Sequence, residues 1–239
     1  MSSMDRPRVS AQNSPDQHGL PFAGCEKQPI AGPQTVAAWP AERRAVHVSG
    51  YEREGRDFYA TPSWVTEALL RHVRFRGSVW EPCCGDGAMS SVLAAHGYTV
   101  TSTDIAERGF GTSGIDFLTC RTMPEGCRSI VTNPPYGETA SDKGQARSPM
   151  AMLNFLRHAL ALTASVQGQL ALLVRLQWIA GRRVADLLSS GPFAATLILT
   201  RRIQWFDMGE HTKGAQHHHA WVVFDHAHPT GSPPALLYA

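Results

Sequence analysis

The stretch Ser129-Ile-Val-Thr-Asn-Pro-Pro-Tyr-Gly137 begins as a short apolar strand and ends in two adjacent prolines. Proline cannot continue a helix and cannot donate to a sheet ladder, so the strand must end at Asn133. The side-chain oxygen of Asn133 is then held beside the carbonyl oxygen of Pro134, and the ring of Tyr136 follows at once. Two acceptors next to an aromatic face suit a planar group that carries an NH2, such as the edge of adenine or a carboxamide. The alternative is a plain proline-rich turn after a buried strand.

A second motif, Glu81-Pro-Cys-Cys-Gly-Asp-Gly87, lies upstream, where a predicted strand gives way to a helix. Its glycines, Gly85 and Gly87, permit positive φ and a close approach of the backbone to a ligand. The motif lacks G-x-G-x-x-G and is not followed by Gly-Lys-Ser/Thr, so it is neither the dinucleotide fingerprint nor a P-loop. A ligand with a ribose and no phosphate fits it. Asp104 ends the next predicted strand, either as an acceptor for ribose hydroxyls or as a solvated carboxylate.

Strand and helix patterns alternate along the chain. The predicted strands cover residues 78–84, 98–103, 114–118, 129–132, 169–176, 194–200 and 220–225. The predicted helices run from the Thr61-Pro62 cap to about 74, over 88–97, along the apolar spacing of 152–160, and over 181–189. This order predicts an α/β fold with a mostly parallel seven-stranded sheet, helices on both faces and an antiparallel edge strand. Ligands of such sheets bind beyond the carboxyl ends of the strands. The polar residues expected there are Glu81–Gly87, Asp104, Asp116 and Asn133.

The chain divides into a tail and one domain. Residues 1–50 hold many Pro, Gln, Ser, Gly and Asp and few regularly spaced apolar residues, so we expect a disordered tail. Residues 51–239 are expected to form a single domain. Within it, residues 137–149 are polar and aperiodic and are predicted to form a mobile loop over Asn133. Residues 201–219 are basic and rich in histidine and are predicted to form a hairpin between the last two strands.

Composition limits the kind of protein. The 239 residues are 43% hydrophobic and 18% charged, no apolar run approaches the roughly 18 residues of a membrane span, and no basic-then-apolar signal opens the chain. Five cysteines, an odd number, fit a reducing compartment better than a disulfide scaffold, so we expect a cytoplasmic protein without membrane contact. The net charge is +2, but residues 120–239 hold 11 Lys/Arg against 7 Asp/Glu. This uneven distribution weakly favours a polyanion as the binding partner.

No metal site is predicted. Cys83 and Cys84 are adjacent, and six residues separate Cys120 from Cys127, so neither pair has the usual zinc spacing. The three histidines at 217–219 could bind a metal, but polar residues that enter a strand are the better explanation.

Together these motifs resemble those of the class I S-adenosylmethionine-dependent methyltransferases that modify amino groups. The resemblance covers about residues 55–225 and rests on Asp57–Pro62, Glu81–Gly87, Asp104, Asp116-Phe117 and Asn133–Tyr136, in that order. The order is similar to that of adenine-N6 DNA methyltransferases of the kind often carried by phages and prophages. It implies a Rossmann-like class I methyltransferase fold, S-adenosyl-L-methionine as the cofactor, and nucleic acid, DNA in the first place, as the partner. For the assembly, a monomer is expected.

The resemblance also implies a role for each matching residue. Cofactor contacts would come from Tyr59, Thr61, Pro62, Glu81, Cys83, Gly85, Gly87, Asp104, Asp116 and Phe117, with Asp104 at the ribose and Asp116 and Phe117 at the adenine ring. Catalysis would rest on Asn133, Pro134 and Tyr136, with Pro135 as a shape element of the substrate site. Apart from the resemblance, Arg201, Arg202 and Lys213 would contact nucleic-acid phosphate beside Trp205 as an aromatic stacker, or else all four would belong to a solvated hairpin.

Two alternatives stay open at this point. Asn-Pro-Pro-Tyr also occurs in enzymes that methylate ribosomal RNA, transfer RNA or protein glutamine, because a carboxamide offers the same NH2 as adenine. The second alternative is a cofactor-binding subunit that binds nucleic acid without catalysis. The chain is also too short for the separate target-recognition domain that is usual in DNA adenine methyltransferases, so recognition would fall to the 137–149 and 201–219 segments.

Overall fold

The computed structural model describes residues 59–135, 149–205 and 217–239. The predicted tail, residues 137–148 of the predicted loop and residues 206–216 of the predicted hairpin lie outside these ranges, as do Tyr136 and Lys213. Within the described ranges, no helix has the length and apolar character needed to cross a bilayer.

The strands are β1 (Ser78–Glu81), β2 (Val100–Ser102), β3 (Cys127–Thr132), β4 (Gln169–Arg175), β5 (Phe193–Ile198), β6 (His219–Asp225) and β7 (Ala235–Tyr238). They form one sheet in the order β2-β1-β3-β4-β6-β5-β7. All pairs are parallel except those of β6, which is antiparallel to both β4 and β5. The mostly parallel seven-stranded sheet is therefore confirmed. The antiparallel strand, β6, lies inside the sheet between β4 and β5, and β7 adds a parallel strand beyond β5.

Helices cover both faces of the sheet, as predicted. The helices α1 (Ser63–His72) and α2 (Ala88–Ala95) pack on one face, and α3 (Pro149–Ser165), α4 (Leu176–Ile179) and α5 (Arg182–Ser190) pack on the other. Side chains alternate along each strand and so separate two cores. In β6, Trp221 and Val223 belong to the core with α1, whereas Val222 and Phe224 belong to the core with α3. All four are buried, as expected for a strand covered on both faces.

Two segments of the sheet differ from the prediction. Residues 114–118 do not form a strand, because Asp116 accepts a hydrogen bond from Leu118 N at 2.9 Å and starts a 3-10 turn at Phe117–Thr119. The short side chain of aspartate competes in this way with strand pairing by reaching nearby backbone amides. The prediction also lacks β7, whose four residues pair with β5. So short an apolar run has no period that distinguishes a strand from a loop.

The first helix is fixed against the sheet at both ends, which matters because Thr61 lies just before it. Near its start, Trp221 Nε1 donates to Val65 O at 3.0 Å. Beyond its end, the two terminal nitrogens of Arg76 donate to the two oxygens of Asp225 at 2.9 and 2.6 Å. Both partners lie on β6, so α1 and the segment that follows it are tied to the middle of the sheet.

Candidate functional site

Side chains at the carboxyl ends of three neighbouring strands line one edge of the sheet. Glu81 ends β1, Asp104 follows β2 and Asn133 follows β3, and β1 lies between the other two strands. The loop after Glu81 is tied to the end of β2, since Thr103 N donates to Glu81 O and Cys84 N donates to Thr103 O, both at 2.9 Å. The fold thus places the Gly-rich loop and the Asn-Pro-Pro turn at adjacent strand ends.

The Asn133 side chain is held by a residue that precedes α1. Its Nδ2 donates to Thr61 Oγ1 at 3.2 Å, and Thr61 is buried. The sequence predicted Thr61 as the helix cap, but α1 begins at Ser63 with Pro62 as its N-cap and without a side-chain cap bond. The Thr61 hydroxyl fixes the Asn133 amide instead, with the nitrogen toward Thr61 and the oxygen away from it.

The oxygen of this amide distinguishes the site from a plain turn. Asn133 Oδ1 is buried, and within the described part of the chain no hydrogen-bond partner reaches it. A buried acceptor without a partner costs about 1–3 kcal/mol, and a ligand that donates a hydrogen bond to it would remove this cost. The neighbouring Pro134 is buried and Pro135 is exposed. The arrangement can therefore accept an N–H group from a ligand at a fixed point.

Replacing Thr61 by valine is expected to slow the reaction at Asn133 by about 2- to 12-fold in kcat, because a hydrogen bond of this kind contributes about 0.5–1.5 kcal/mol. Thr61→Ser keeps the hydroxyl and should stay close to the wild-type rate. Steady-state kinetics of the two variants separate the hydrogen bond from packing. Equal rates for Thr61→Val and Thr61→Ser would show that the contact does not position Asn133.

Asp104 braces the Gly-rich loop. Its Oδ2 accepts a hydrogen bond from Gly85 N at 2.9 Å, and its Oδ1 accepts one from Ala106 N at 2.8 Å. The residue is 8% exposed, so the alternative of a solvated carboxylate is wrong. Gly85 and Gly87 have φ of +56° and +83°, the left-handed region that glycine adopts without strain. Each carboxylate oxygen has a second lone pair, so Asp104 can also accept hydrogen bonds from ribose hydroxyls. That role stays a prediction.

Glu81 lies under the loop and is 2% exposed. It accepts a hydrogen bond from Ser90 Oγ, which lies 2.6 Å from Ser102 Oγ. Burial raises the pKa of Glu81 to about 8, so the carboxyl group is largely protonated at neutral pH. The sequence singled out Glu81 as a cofactor contact but missed Ser90 and Ser102. Their positions give no signal until α2 and β2 are placed beside β1.

The raised pKa of Glu81 predicts a pH dependence of stability. Between the ordinary value of 4.5 and about 8, the folded chain keeps a proton on Glu81 that the unfolded chain releases. The unfolded state then binds fewer protons, so the free energy of unfolding falls as pH rises through this window. Glu81→Gln should remove this fall. Urea unfolding of both proteins at a series of pH values between about 5 and 8.5 measures the free energy of unfolding across this window. Parallel pH profiles for both proteins would contradict the assignment.

Burial also keeps the two thiols of the loop protonated. It raises the pKa of Cys83 well above its ordinary value and that of Cys84 to about 12. The thiolate is the form that binds metals and attacks electrophiles, so neither thiol is prepared for those roles. The thiols of Cys83, Cys84 and Cys127 are free. Across the described ranges, no group of three His, Cys, Asp or Glu side chains is placed to hold a metal ion.

The ring of Phe117 lies in the core beneath the crevice. The residue is 4% exposed, and its ring centre is 5.2 Å from that of Trp80, 4.4 Å from Phe155 and 5.0 Å from His158. This packing anchors the turn that carries Asp116, which is half-buried at the surface of the site. Contact of Phe117 with an adenine ring stays a prediction.

Three aromatic rings meet beside the segment that leads into α1. The Trp205 ring centre is 5.6 Å from that of Tyr59 and 5.4 Å from that of His219. Burial, and next the charge of Arg175, lower the pKa of His219 to about 4, so its ring is neutral at physiological pH. The structure thus brings the predicted substrate residue Trp205 next to the predicted cofactor residue Tyr59, two positions before Thr61.

The predicted substrate residues Arg201 and Arg202 are exposed on the same side. The guanidinium carbon of Arg201 lies 4.9 Å from the ring centre of Trp64, a cation–π distance. Arg202 Nε donates to His218 Nε2 at 3.1 Å. Both arginines are therefore oriented by neighbours, and their contact with phosphate stays a prediction.

No protein-family model matches the sequence, and no curated protein matches it. Solved structures with a similar fold include a Listeria monocytogenes protein assigned to the class I S-adenosylmethionine-dependent methyltransferases, at 14% identity over 74% of this chain and 62% of that chain, with a TM-score of 0.49. A modification subunit assigned to a type I restriction enzyme of Vibrio vulnificus has 14% identity over 75% of this chain and 49% of that chain, with a TM-score of 0.42.

A Pyrococcus horikoshii protein assigned as an RNA methyltransferase has 15% identity over 71% of this chain and 88% of that chain, with a TM-score of 0.46. The chain spans less than two thirds of the length of the first two proteins. At these identities and TM-scores, none of the three likenesses carries information on activity.

Proposed function

We propose that the protein is an S-adenosylmethionine-dependent methyltransferase that transfers a methyl group to the exocyclic N6 amine of adenine in DNA, with residues 51–239 as the catalytic domain of a cytoplasmic enzyme. The observation that carries the proposal is the buried Asn133 Oδ1, which has no partner among the described residues. An amine with two N–H groups can donate one to this oxygen and the other to the adjacent Pro134 carbonyl. The order of the Tyr-x-Thr-Pro, Gly-rich and Asn-Pro-Pro-Tyr motifs supports adenine as the bearer of that amine.

The residues around the Gly-rich loop fit the cofactor. Gly85 and Gly87 give the loop positive φ values that glycine adopts without strain, and no phosphate-binding motif is present in the loop. The carboxylates of Asp104 and Asp116 would accept hydrogen bonds from the ribose and the adenine amine. When bound, S-adenosylmethionine supplies an electrophilic methyl group.

Asn133 would act by positioning the amine. The nitrogen of an exocyclic amine is a poor nucleophile because its lone pair is delocalised into the ring. With one N–H on Asn133 Oδ1 and the other on the Pro134 carbonyl, the nitrogen is drawn toward tetrahedral geometry and its lone pair leaves the plane of the ring. Thr61 fixes the orientation of the amide. Positioning and electrostatics suffice, and no strong base is required.

The target adenine must leave the base stack to reach Asn133 if the DNA is double-stranded. Tyr136 would then supply an aromatic face for the extruded base. The exposed guanidinium groups of Arg201 and Arg202 favour a polyanion over a protein substrate, since a glutamine side chain carries no charge to meet them.

The test is to incubate the purified protein with methyl-labelled S-adenosylmethionine and, separately, unmethylated DNA, total RNA and cell protein. Mass spectrometry of the digested products identifies the labelled group. Label in N6-methyladenine from DNA is the expected result. Label in RNA or in glutamine would be consistent with the role of Asn133 but would contradict DNA as the substrate. Binding of the cofactor without transfer to any polymer would favour a non-catalytic subunit.

A further inference from the structure

The charges around the candidate site are divided at Asn133. Carboxylate groups lie on the side of β1 and β2, where Asp104 and Asp116 are found. On the other side, residues 173–183 and 198–205, around the ends of β4 and β5, flank residues 217–220 at the start of β6. These three segments contain five arginines and neither aspartate nor glutamate. The second side therefore has a positive potential that attracts an anion.

Arg175 lies at the centre of this positive side and was not singled out by the sequence. It is the last residue of β4, paired in register with His219 of β6. Thr132 of β3 pairs with Leu172 of β4, so Asn133 lies level with Leu173. The Cα of Arg175 is two residues farther along β4 than the level of the Asn133 Cα. A rise of about 3.3 Å per residue and a strand spacing of about 4.8 Å place these two Cα atoms roughly 8 Å apart. A nucleotide spans a similar distance between its base edge and its phosphate.

Arg202 is brought to the same place by contacts across the sheet. Leu199 N donates to His219 O at 3.0 Å, which holds the chain just before Arg202 against the start of β6. The Arg202 Nε bond to His218 then orients the guanidinium group. Arg175, at the end of β4, and Arg202, in the segment after β5, thus flank the first residues of β6 from its two sides.

We infer that Arg175 and Arg202 form a phosphate-binding surface that holds the DNA backbone beside the nucleotide bound at Asn133. This inference rests on the proposed function for its choice of DNA. Trp205, packed on His219, borders the surface and offers an aromatic face to a neighbouring base. Guanidinium groups suit this role because their N–H fork matches the oxygens of a phosphate.

The test is the affinity of fluorescently labelled single-stranded DNA, its duplex and the matching RNA, measured by anisotropy over a series of salt concentrations. Arg175→Gln and Arg202→Gln should each weaken DNA binding and reduce the slope of log K against log salt by about 0.7 for single strands or 0.9 for duplex, the value for one lost phosphate contact. Arg74→Gln is the matched control, since Arg74 is exposed at the opposite edge of the sheet, beyond α1. It should bind as the wild type does.

Three results would overturn the inference: wild-type affinity and salt slope in both site variants, losses no larger than in Arg74→Gln, or arginine-dependent binding of RNA alone. The outcome is separable from that of the proposed function. Arginine-dependent DNA binding without methyl transfer would contradict the proposed enzyme activity and support the phosphate-binding surface. Methyl transfer with normal DNA binding by both variants would contradict the phosphate-binding surface and support the enzyme activity.

Discussion

Replacing Asn133 by alanine is expected to lower methyl transfer by a factor of about 100 to 1000, the usual loss for a hydrogen-bond acceptor or donor aimed at the reacting group. The change deletes the buried Oδ1 and leaves the Gly-rich loop untouched, because Asn133 is bonded to Thr61 and to no residue of that loop among the hydrogen bonds of the described chain. The affinity for S-adenosylmethionine should therefore stay close to that of the wild type. Transfer kinetics and calorimetric titration of the cofactor measure the two quantities separately.

Asn154→Ala is the matched control for this experiment. Asn154 is exposed on α3, so the same truncation is made away from the crevice. It should keep the wild-type rate and cofactor affinity. A loss of cofactor binding in Asn133→Ala that equals the loss of transfer would assign Asn133 to the cofactor or to the fold and would contradict its role at the amine.

Gly87→Ala is expected to reduce the free energy of unfolding by about 2–5 kcal/mol. A non-glycine residue at φ +83° costs about 1–2 kcal/mol. A Cβ atom at this position would lie 2.4 Å from Cγ of Phe110, and overpacking of this kind costs about 1–3 kcal/mol more. Because Gly87 caps α2 at the end of the Gly-rich loop, binding of S-adenosylmethionine should weaken as well. Urea unfolding and cofactor titration measure both effects.

Gly97→Ala separates the two costs. Its φ is +87°, but no atom lies within 4 Å of a Cβ built there, so it should lose only the backbone contribution. Adding Phe110→Ala to Gly87→Ala removes the ring that the new methyl group meets, and a double-mutant cycle gives the size of the clash. Equal destabilisation by Gly87→Ala and Gly97→Ala would contradict the close packing of Phe110 on the loop.

The parts of the fold that could be predicted are those with long, regular apolar patterns. Each of β4 and β6 has seven residues, six of them buried in succession, which is typical of a strand covered on both faces. Residues 114–118 and β7 could not be predicted in this way, because residues 114–118 hold an Asx turn and β7 is a largely exposed edge strand of four residues. At that length a single Asx turn, such as the one at Asp116, decides the local structure.

The site could be predicted only as a set of motifs. The strand ends at Glu81 and Asn133 are visible in the sequence because a proline follows each of these residues. The Thr61 contact joins residues 72 positions apart, and the position of Arg175 beside Asn133 depends on the register of β3 and β4. Such long-range contacts are set by tertiary packing and leave no local signal.

The most direct test of the proposed activity is the nucleoside composition of DNA from a bacterial host that lacks adenine methylation and expresses this protein. Mass spectrometry should find N6-methyladenine in cells with the wild-type protein and with Asn154→Ala, and far less with Asn133→Ala at equal expression. DNA free of N6-methyladenine in cells that contain folded wild-type protein would contradict the assignment of DNA adenine as the substrate.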